Sequence, residues 1–221
     1  MSEQQKVKVK TTLPTTPLPS NAERKEILTE RLILRPFAED DLEEIYAMRT
    51  QPECMIYTLV GRIDADRDET RAAMARYLPP NDTQTYNTAI RLASTGELIG
   101  TGGAIRIYNN ASYFGWPECG YMFRKEYWGQ GFATEFLSAF VKNWWTLPRS
   151  EVEIEVDAQS VDGPGEAPEM LTLMTDGHNV GSRKVAQKAG FREFKEWSVP
   201  DSREGFSGNM VTLFGYAAQK E

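Results

Sequence analysis

Apolar and polar residues alternate with a period of two along several stretches of the chain, which is typical of β-strands that cover a core. Strands are predicted over seven stretches: 27–35, 85–93, 98–108, 118–123, 151–158, 190–197 and 209–216. Turns at 94–97 and at Asn109-Asn110 separate the second, third and fourth of these strands. This part of the chain is therefore predicted to form a β-meander.

Other stretches repeat apolar residues every three or four positions, which predicts helices with one buried face. The strongest helical pattern begins at Gly131 and ends before Pro148. Its buried stripe would comprise Phe132, Phe136, Phe140 and Trp144. Further helices are predicted for about ten residues from Asp40, over 66–77 and over 179–188. This order of elements predicts an α/β (α+β) fold with a mixed, mostly antiparallel central sheet flanked by helices.

The domain organisation follows from where these patterns begin and where they are interrupted. Residues 1–22 are polar, contain Pro and Thr, and show no apolar period, so we predict a disordered N-terminal arm. Residues 23–221 are predicted to form one domain. Within it, residues 161–177 contain two Pro and three Gly and predict a loop insertion.

Composition and charge are those of a folded globular protein with 221 residues, 40% apolar and 26% charged. The net charge of −7 argues against a nucleic-acid partner and mildly favours cationic partners such as amines. No apolar run approaches the roughly 20 residues of a membrane span, so no membrane partner is expected. Two cysteines, Cys54 and Cys119, form no disulfide framework, and we expect a cytoplasmic protein that could also enter the nucleus.

The single histidine, His178, argues against several kinds of active site. Ser–His–Asp and Cys–His systems need a histidine beside the nucleophile, and the sequence shows no evident partner for His178. A zinc site would need several His or Cys ligands in close spacing. We therefore expect neither a metal nor a nucleophile–histidine pair.

One stretch carries a specific chemical signal, because the predicted strand 118–123 runs through Trp128-Gly129-Gln130-Gly131-Phe132-Ala133-Thr134 into the striped helix. The first turn of a helix leaves backbone N–H groups unpaired, and the helix dipole adds partial positive charge there. Glycines at 129 and 131 allow close approach of the backbone to an anion. The motif is neither a P-loop nor a Rossmann fingerprint, which would follow a first strand. We predict a cradle of backbone amides for a diphosphate at Gly129–Ala133.

Three blocks, in this order, resemble those of the GNAT N-acetyltransferases, specifically the branch that contains ribosomal-protein N-terminal acetyltransferases. The blocks are Thr29–Arg35 with Asp40–Leu42, Gly120-Tyr121 through Tyr127–Glu135, and Asn179-x-x-Ser182 with Lys188–Phe191. The resemblance covers about residues 27–217 and implies a GNAT-like domain that uses acetyl-CoA as acyl donor. Two departures are Trp128, where the family usually has Arg or Gln, and about 20 residues between Asp157 and Asn179. In the family the Asn block follows the fifth strand almost directly.

The resemblance also implies direct attack of an amine on the thioester within a ternary complex. The coenzyme would be held by Tyr121, Met122, Phe123, Trp128, Gly129, Gln130, Gly131, Phe132, Ala133, Thr134, Asn179 and Ser182. The pantetheine arm would pair with the splayed strand 118–123. The N–H of Met122 or Phe123 would then polarise the thioester carbonyl.

An amine attacks only when it is deprotonated, so a base is needed, and Glu118 at the start of the strand is the candidate. The alternative for Glu118 is a solvated strand-end carboxylate. Many family members reprotonate the thiolate with a tyrosine at the position of Ala186, and Ser182 is our candidate to replace it, against an ordinary helix-face hydroxyl. Asn179 either holds the pantetheine or the adjacent strand, or simply caps the helix.

The acceptor stays open between an N-terminal α-amine of a protein or peptide and a small amine such as a polyamine, amino acid or antibiotic. A non-catalytic acyl-CoA-binding module is a third alternative, because the tyrosine is missing. An acidic strand face, formed by Glu151, Glu153, Glu155 and Asp157, either attracts a cationic acceptor or is solvated. The protein is expected to be a monomer or a homodimer.

Overall fold

The computed structural model describes residues 5–107, 112–206 and 208–220. The predicted turn at Asn109-Asn110 lies outside the described residues. The described strands are β1 (Lys6–Pro14), β2 (Ile27–Leu28), β3 (Leu32–Arg35), β4 (Tyr86–Leu92), β5 (Leu98–Arg106), β6 (Glu118–Phe123), β7 (Arg149–Asp157), β8 (Gly165–Glu166), β9 (Met170–Asp176), β10 (Arg192–Pro200) and β11 (Met210–Gln219). The described α-helices are α1 (Leu42–Arg49), α2 (Pro52–Met55), α3 (Arg67–Met74), α4 (Phe132–Trp144) and α5 (Val180–Lys188).

Eight of these strands form the central sheet, in the order β10-β11-β9-β6-β5-β4-β3-β2. All neighbours in it are antiparallel except β6 and β9, which run parallel. The prediction of a mixed, mostly antiparallel sheet in one α/β domain is therefore confirmed. None of the helices in the described part of the chain is long and apolar enough to cross a bilayer.

The helices cover the sheet on both faces, because successive strand residues point to opposite sides. On one face Ile90, Ile99 and Phe123 pack against the buried stripe of α4, which confirms that stripe as core. On the other face Ala89 and Leu98 pack against the helices that follow β3. Fully burying an aromatic side chain of the stripe contributes roughly 2–3 kcal/mol. The α4–α5 layer and the α1–α3 layer therefore lie on opposite sides of the sheet.

The N-terminal segment is ordered, so the prediction of a disordered arm over residues 1–22 was wrong for residues 5–22. Strand β1 pairs with β7 along its whole length, from Lys6 opposite Asp157 to Pro14 opposite Arg149, and β8 pairs with its other edge. Val9 and Leu13 are buried against Phe114 and Trp116. Strand β1 does not pair with a strand that is close to it in the sequence. Its order depends instead on β7, about 140 residues further along the chain.

The acidic face of β7 serves this N-terminal strand. Lys6, Lys8 and Lys10 stand opposite Asp157, Glu155 and Glu153 in the antiparallel register. Directly opposite residues of two strands share a face, and opposite charges there stabilise the pairing. The buried carboxylate of Asp157 pairs instead with Lys195 of β10. This face lies in a separate three-stranded sheet, in the order β7-β1-β8. Its position therefore gives no support to the alternative that it attracts a cationic acceptor.

The predicted loop insertion over residues 161–177 was wrong for residues 170–176, which form β9 of the central sheet. Leu171 and Thr172 are fully buried, since β9 lies between β6 and β11 and both of its faces are covered. A strand that is buried on both faces does not show the alternation of apolar and polar residues that is typical of strands with one exposed face. Asn179 therefore follows β9, the strand beside β6, almost directly. The residues that separate β9 from α4 form β7 and β8.

Helix α1 is fixed to the sheet by a buried carboxylate at its N-terminus. Asp41 accepts two hydrogen bonds from Arg35, of 2.9 and 2.5 Å, and one of 2.6 Å from Arg91. The N–H of Ala38 donates a further bond of 2.9 Å. Burial alone would raise the pKa of Asp41, but these hydrogen bonds outweigh it and hold the pKa below its usual value.

We expect Asp41→Asn to lower the free energy of unfolding by about 3 kcal/mol at pH 7, because two partly buried arginines lose their carboxylate. A lowered folded-state pKa stabilises the protein above the unfolded pKa, and this contribution is lost as the pH falls through the folded value. The difference from the wild type should therefore shrink below about pH 4. Urea unfolding at several pH values measures it. Asp68→Asn, which removes an exposed ion pair with Arg71, should change stability by less than about 0.5 kcal/mol. An equal loss for Asp41→Asn at all pH values would contradict the assignment.

Candidate active site

The predicted diphosphate cradle is an exposed loop that leads into α4. Gly129 and Gly131 have φ of +73° and +86°, the left-handed region that side chains with a Cβ disfavour. Gly131 is the N-cap residue of α4 and supplies no side chain to cap it. The first-turn N–H groups of the helix therefore have no intrahelical partner and point out of its exposed end. This geometry suits an anion such as a diphosphate.

The side chains of the loop fold back onto it. The indole Nε1 of Trp128 donates to the carbonyl of Phe123 at 2.8 Å, and the amide of Gln130 donates to the carbonyl of Glu126 at 2.8 Å. Phe132 is buried, and Ala133 packs partly against the core. An anion at this loop would consequently meet backbone rather than side chains.

A bracket from the start of the domain holds the cradle in place. Glu135, in the first turn of α4, accepts from the Thr29 hydroxyl at 2.6 Å and from the N–H of Arg31 at 2.9 Å. It also pairs with the Arg31 guanidinium at 2.7 Å. Arg31 in turn donates to the carbonyl of Gln130 at 3.1 Å and stacks over the ring of Phe132. The block at residues 29–35 and the block that ends at Glu135 are therefore joined in the structure.

The central sheet opens between β6 and β9. Their register contains one pair, Glu118 opposite Thr172, and the N–H of Thr172 donates to the carbonyl of Pro117 at 2.8 Å. Beyond that pair the described residues of the two strands no longer pair, and we call this gap the splay. The edge of β6 that faces it has no strand partner there, so an extended ligand with amide groups could pair with it.

The direction of the β6 amides can be worked out from hydrogen bonds near its ends. The N–H of Arg124 donates to Ile99 of β5 at 2.8 Å, whereas the carbonyl of Pro117 faces β9. Because backbone groups alternate in direction along a strand, the N–H of Met122 points to β5. The N–H groups of Cys119, Tyr121 and Phe123 therefore point towards β9. That of Cys119 belongs to the parallel pair of Glu118 with Thr172, so only those of Tyr121 and Phe123 face the splay.

The side chains of these residues divide between the two faces. The Tyr121 ring packs against Phe123 and Phe136 on the α4–α5 face, and its hydroxyl lies 3.5 Å from the carbonyl of Ser182. Met122 packs on the opposite face with the cluster beneath α1. Tyr121 and Phe123 are therefore on the side of the cradle, and Met122 is not.

Asn179 and Ser182 lie at the start of α5, across the splay from β6. The Asn179 Oδ1 accepts from the N–H of Ser182 at 3.0 Å, which is N-capping, the simpler of the two alternatives for Asn179. Ser182 is half-buried and its carbonyl adjoins Tyr121. Ala186 is fully buried in the core, and its methyl group has no proton to donate.

Glu118 lies at the closed end of the splay. Its side chain is only 4% exposed, so the alternative of a solvated strand-end carboxylate is wrong. Next to it, Cys119 is also buried, and burial raises the pKa of its thiol well above the usual value. Cys119 is therefore a neutral thiol near pH 7, which argues against an acyl-cysteine intermediate.

Two charged residues near the far end of the splay were missed by sequence reasoning. Asp176 accepts from the backbone N–H of His178 at 2.8 Å, and the His178 ring Nδ1 lies 3.1 Å from the same oxygen. The Asp-Gly-His order, typical of a turn in which Asp bonds the residue two ahead, could have revealed this partner. Arg203, from the loop between β10 and β11, pairs with Asp176 at 2.9 Å, and no local signal indicates it.

Comparison with known proteins agrees with this fold. Similar solved structures include a GNAT-family acetyltransferase from Bacillus anthracis, with 18% identity over 88% of this chain and 98% of that chain and a TM-score of 0.65. A Vibrio cholerae structure assigned as a ribosomal-protein-serine acetyltransferase is 20% identical over 89% and 98%, with a TM-score of 0.59. The spermidine N-acetyltransferase of Vibrio cholerae, solved with CoA and spermine, is 17% identical over 86% and 96%, with a TM-score of 0.61.

These likenesses show the fold, and no curated protein matches the chain by sequence. The family model described as the acetyltransferase (GNAT) domain matches residues 31–192, which include the Arg31 bracket, the cradle and α5. The chain belongs to the GNAT family of acetyltransferases.

Proposed function

We propose that this enzyme transfers the acetyl group of acetyl-CoA directly to a primary amine, and that the acceptor is the N-terminal α-amine of a protein or peptide. The proposal depends on two features that lie next to each other. An exposed helix N-terminus that suits a diphosphate, at Gly131, adjoins the unpaired edge of β6. A coenzyme with a diphosphate and an amide-containing arm matches both features.

The length of the pantetheine arm indicates where the thioester lies. The arm is a chain of about twelve atoms with two amides, equivalent to about four strand residues or about 13 Å. If the diphosphate binds beyond Phe123, the arm runs back along β6 and its sulfur lies beside Cys119 or Gly120. The N–H of Tyr121 is then the donor to the thioester carbonyl, because that of Cys119 belongs to the pair of Glu118 with Thr172. Met122 is disfavoured because its N–H faces β5, and Phe123 lies too close to the diphosphate.

This placement supports Glu118 as the base, because its carboxyl group lies at the end of the splay where the thioester ends. The base would take the proton of the amine as the nitrogen attacks the carbonyl carbon. The thiolate of CoA then leaves and needs a proton. Since Ala186 cannot supply one, we propose Ser182 on α5, with Asn179 holding the start of that helix.

A peptide acceptor is favoured over a polyamine by the state of the nearby carboxylates. A polyamine carries several ammonium groups, so its site needs carboxylates that are free to pair with them. On the side opposite the cradle, Asp176 and Asp201 already pair with Arg203, and Glu204 pairs with Arg62. The branch of the family that the sequence resembles also favours an α-amine.

We expect a peptide with a free N-terminal serine to release CoA thiol when it is mixed with the protein and acetyl-CoA. The same peptide with a blocked N-terminus is the control and should give no thiol above the rate without acceptor. Mass spectrometry should place the acetyl group on the α-amine. Turnover of spermidine but not of the peptide would support the small-amine alternative. CoA binding without turnover of any amine would support the non-catalytic one.

We expect Gly131→Ala to weaken CoA binding at least about tenfold, measured by calorimetry, because the cradle requires a left-handed conformation there. Gly205→Ala is a matched control, since Gly205 has a φ of +83° in the loop between β10 and β11, where an added Cβ meets no atom within 4 Å. Both variants should lose similar stability, and only Gly131→Ala should lose CoA affinity. Equal CoA affinity of the two variants would contradict the cradle.

We expect Glu118→Gln to lower kcat about 100-fold and to remove the base-dependent limb of the pH–rate profile, with CoA affinity unchanged. Glu126→Gln is the control, because Glu126 is an exposed carboxylate outside the splay. Steady-state kinetics between pH 6 and about 9 measure both effects. An unchanged profile and turnover for Glu118→Gln would show that another group takes the proton.

A further inference from the structure

Two loops meet above the open end of the splay, on the face opposite the cradle. One follows α2 and includes residues 56–63, and the other joins β10 to β11 and includes residues 201–206. The N–H of Glu204 approaches the carbonyl of Val60 at 3.4 Å, and Arg62 pairs with Glu204 at 2.7 Å. At Gly61, with a φ of +74°, an added Cβ would lie 2.6 Å from the Cβ of Arg203. The two loops therefore touch through backbone and close packing.

Arg203 is the residue at the centre of this contact. Its guanidinium donates to the carbonyl of Ile56 at 2.8 Å, and it pairs with Asp176 at 2.9 Å and with Asp201 at 2.5 Å. Its side chain is only 13% exposed. One planar group thus joins the α2 loop, the end of β9 and the β10–β11 loop, which a flexible single-point ammonium cannot do.

The register shows that these contacts lie on both sides of the splay. Counting four residues from the pair of Glu118 and Thr172 places Asp176 level with Met122, on the β9 side. The β6 side is marked by Cys54 of α2, whose Sγ lies 3.2 Å from the carbonyl of Phe123. Arg203 reaches Asp176 on one side and the loop that follows Cys54 on the other. It bridges the open end of the splay on the α1–α3 face.

We propose that Arg203 is a positioning residue for the acceptor amine. It holds β6 and β9 at a fixed distance on the face from which the acceptor reaches the thioester. The coenzyme occupies the α4–α5 face and the cradle, so the acceptor approaches from the other face, beneath this bridge. This inference rests on the proposed function, since it requires an acceptor that attacks a thioester in the splay.

The side chains around the bridge agree with an acceptor that is bound by shape. Tyr57, Leu59 and Val60 of the α2 loop are large apolar side chains that remain exposed. The carboxylates of the bridge are engaged by Arg203 itself. Loss of the guanidinium would therefore release the α2 loop and remove the cation that Asp176 and Asp201 share, with the cradle of α4 untouched.

The test compares Arg203→Met and Arg203→Lys with the wild type, using acetyl-CoA and a peptide with a free N-terminal serine. We expect Arg203→Met to raise the KM for the peptide at least about tenfold, because loosened walls no longer orient the amine. The KM for acetyl-CoA and the affinity for CoA should change less than about twofold. Arg203→Lys should recover only part of the loss. Arg67→Met, on α3, removes an exposed ion pair with Glu43 of α1; it is the matched control and should behave as the wild type.

A second measurement follows the bridge itself. Hydrogen exchange of the amides of residues 56–61 should be faster in Arg203→Met and unchanged in Arg67→Met. If Arg203→Met does not fold, Arg203→Lys carries the comparison. Unchanged peptide KM, or equal changes in the KM of both substrates, would overturn the proposal while leaving the acetyltransferase function intact. If the wild type acetylates no amine, the proposed function fails, and the positioning role fails with it.

Discussion

The constraint on which the site depends is that β6 and β9 pair at their start and then separate. A parallel pair inside a sheet normally hydrogen-bonds along its length, and a buried unpaired strand edge costs free energy. Here the edge of β6 faces the splay, so its amides at Tyr121 and Phe123 are available to a ligand that can replace the missing strand. Closing the splay would satisfy these amides and remove the site. The sheet therefore needs features that hold it open.

Three such features can be identified, one on each side of the gap and one across it. The Arg31–Glu135 bracket fixes the start of α4, which packs on β6 through Phe136. On the other side, Asn179 caps α5 directly after β9. Arg203 spans the open end. The helices and loops thus keep the strands apart, and the buried Asp41 keeps α1 against the face of the sheet opposite α4.

What could be predicted from the sequence was local. The stripe of α4 and the glycines of the cradle are recognised within one helix and one turn, because period and backbone conformation are properties of neighbouring residues. Strand β1 was missed although Lys and Val alternate over residues 6–10, and its pairing with a distant strand has no local signal. Strand β9 was missed because a strand that is covered on both faces lacks alternation. Likewise Glu118 could be recognised as a carboxylate at a strand start. Its burial beside Thr172 depends on the parallel pairing of β6 with β9, which no local pattern indicates.

The way in which charges are used in this protein bears on its acceptor. The net charge of −7 favours cationic partners at long range, but the acidic face of β7 is matched by lysines of β1, and Asp176 and Asp201 are held by Arg203. Attraction of an ammonium group is then weak on the proposed acceptor side of the splay. An amine must also be neutral to attack, and at pH 7 roughly one α-amine in ten is neutral, against about one lysine in a few thousand. A site in which Glu118 is the proposed base and the two aspartates are held by arginine therefore suits an α-amine, which needs orientation and the loss of one proton more than it needs electrostatic capture.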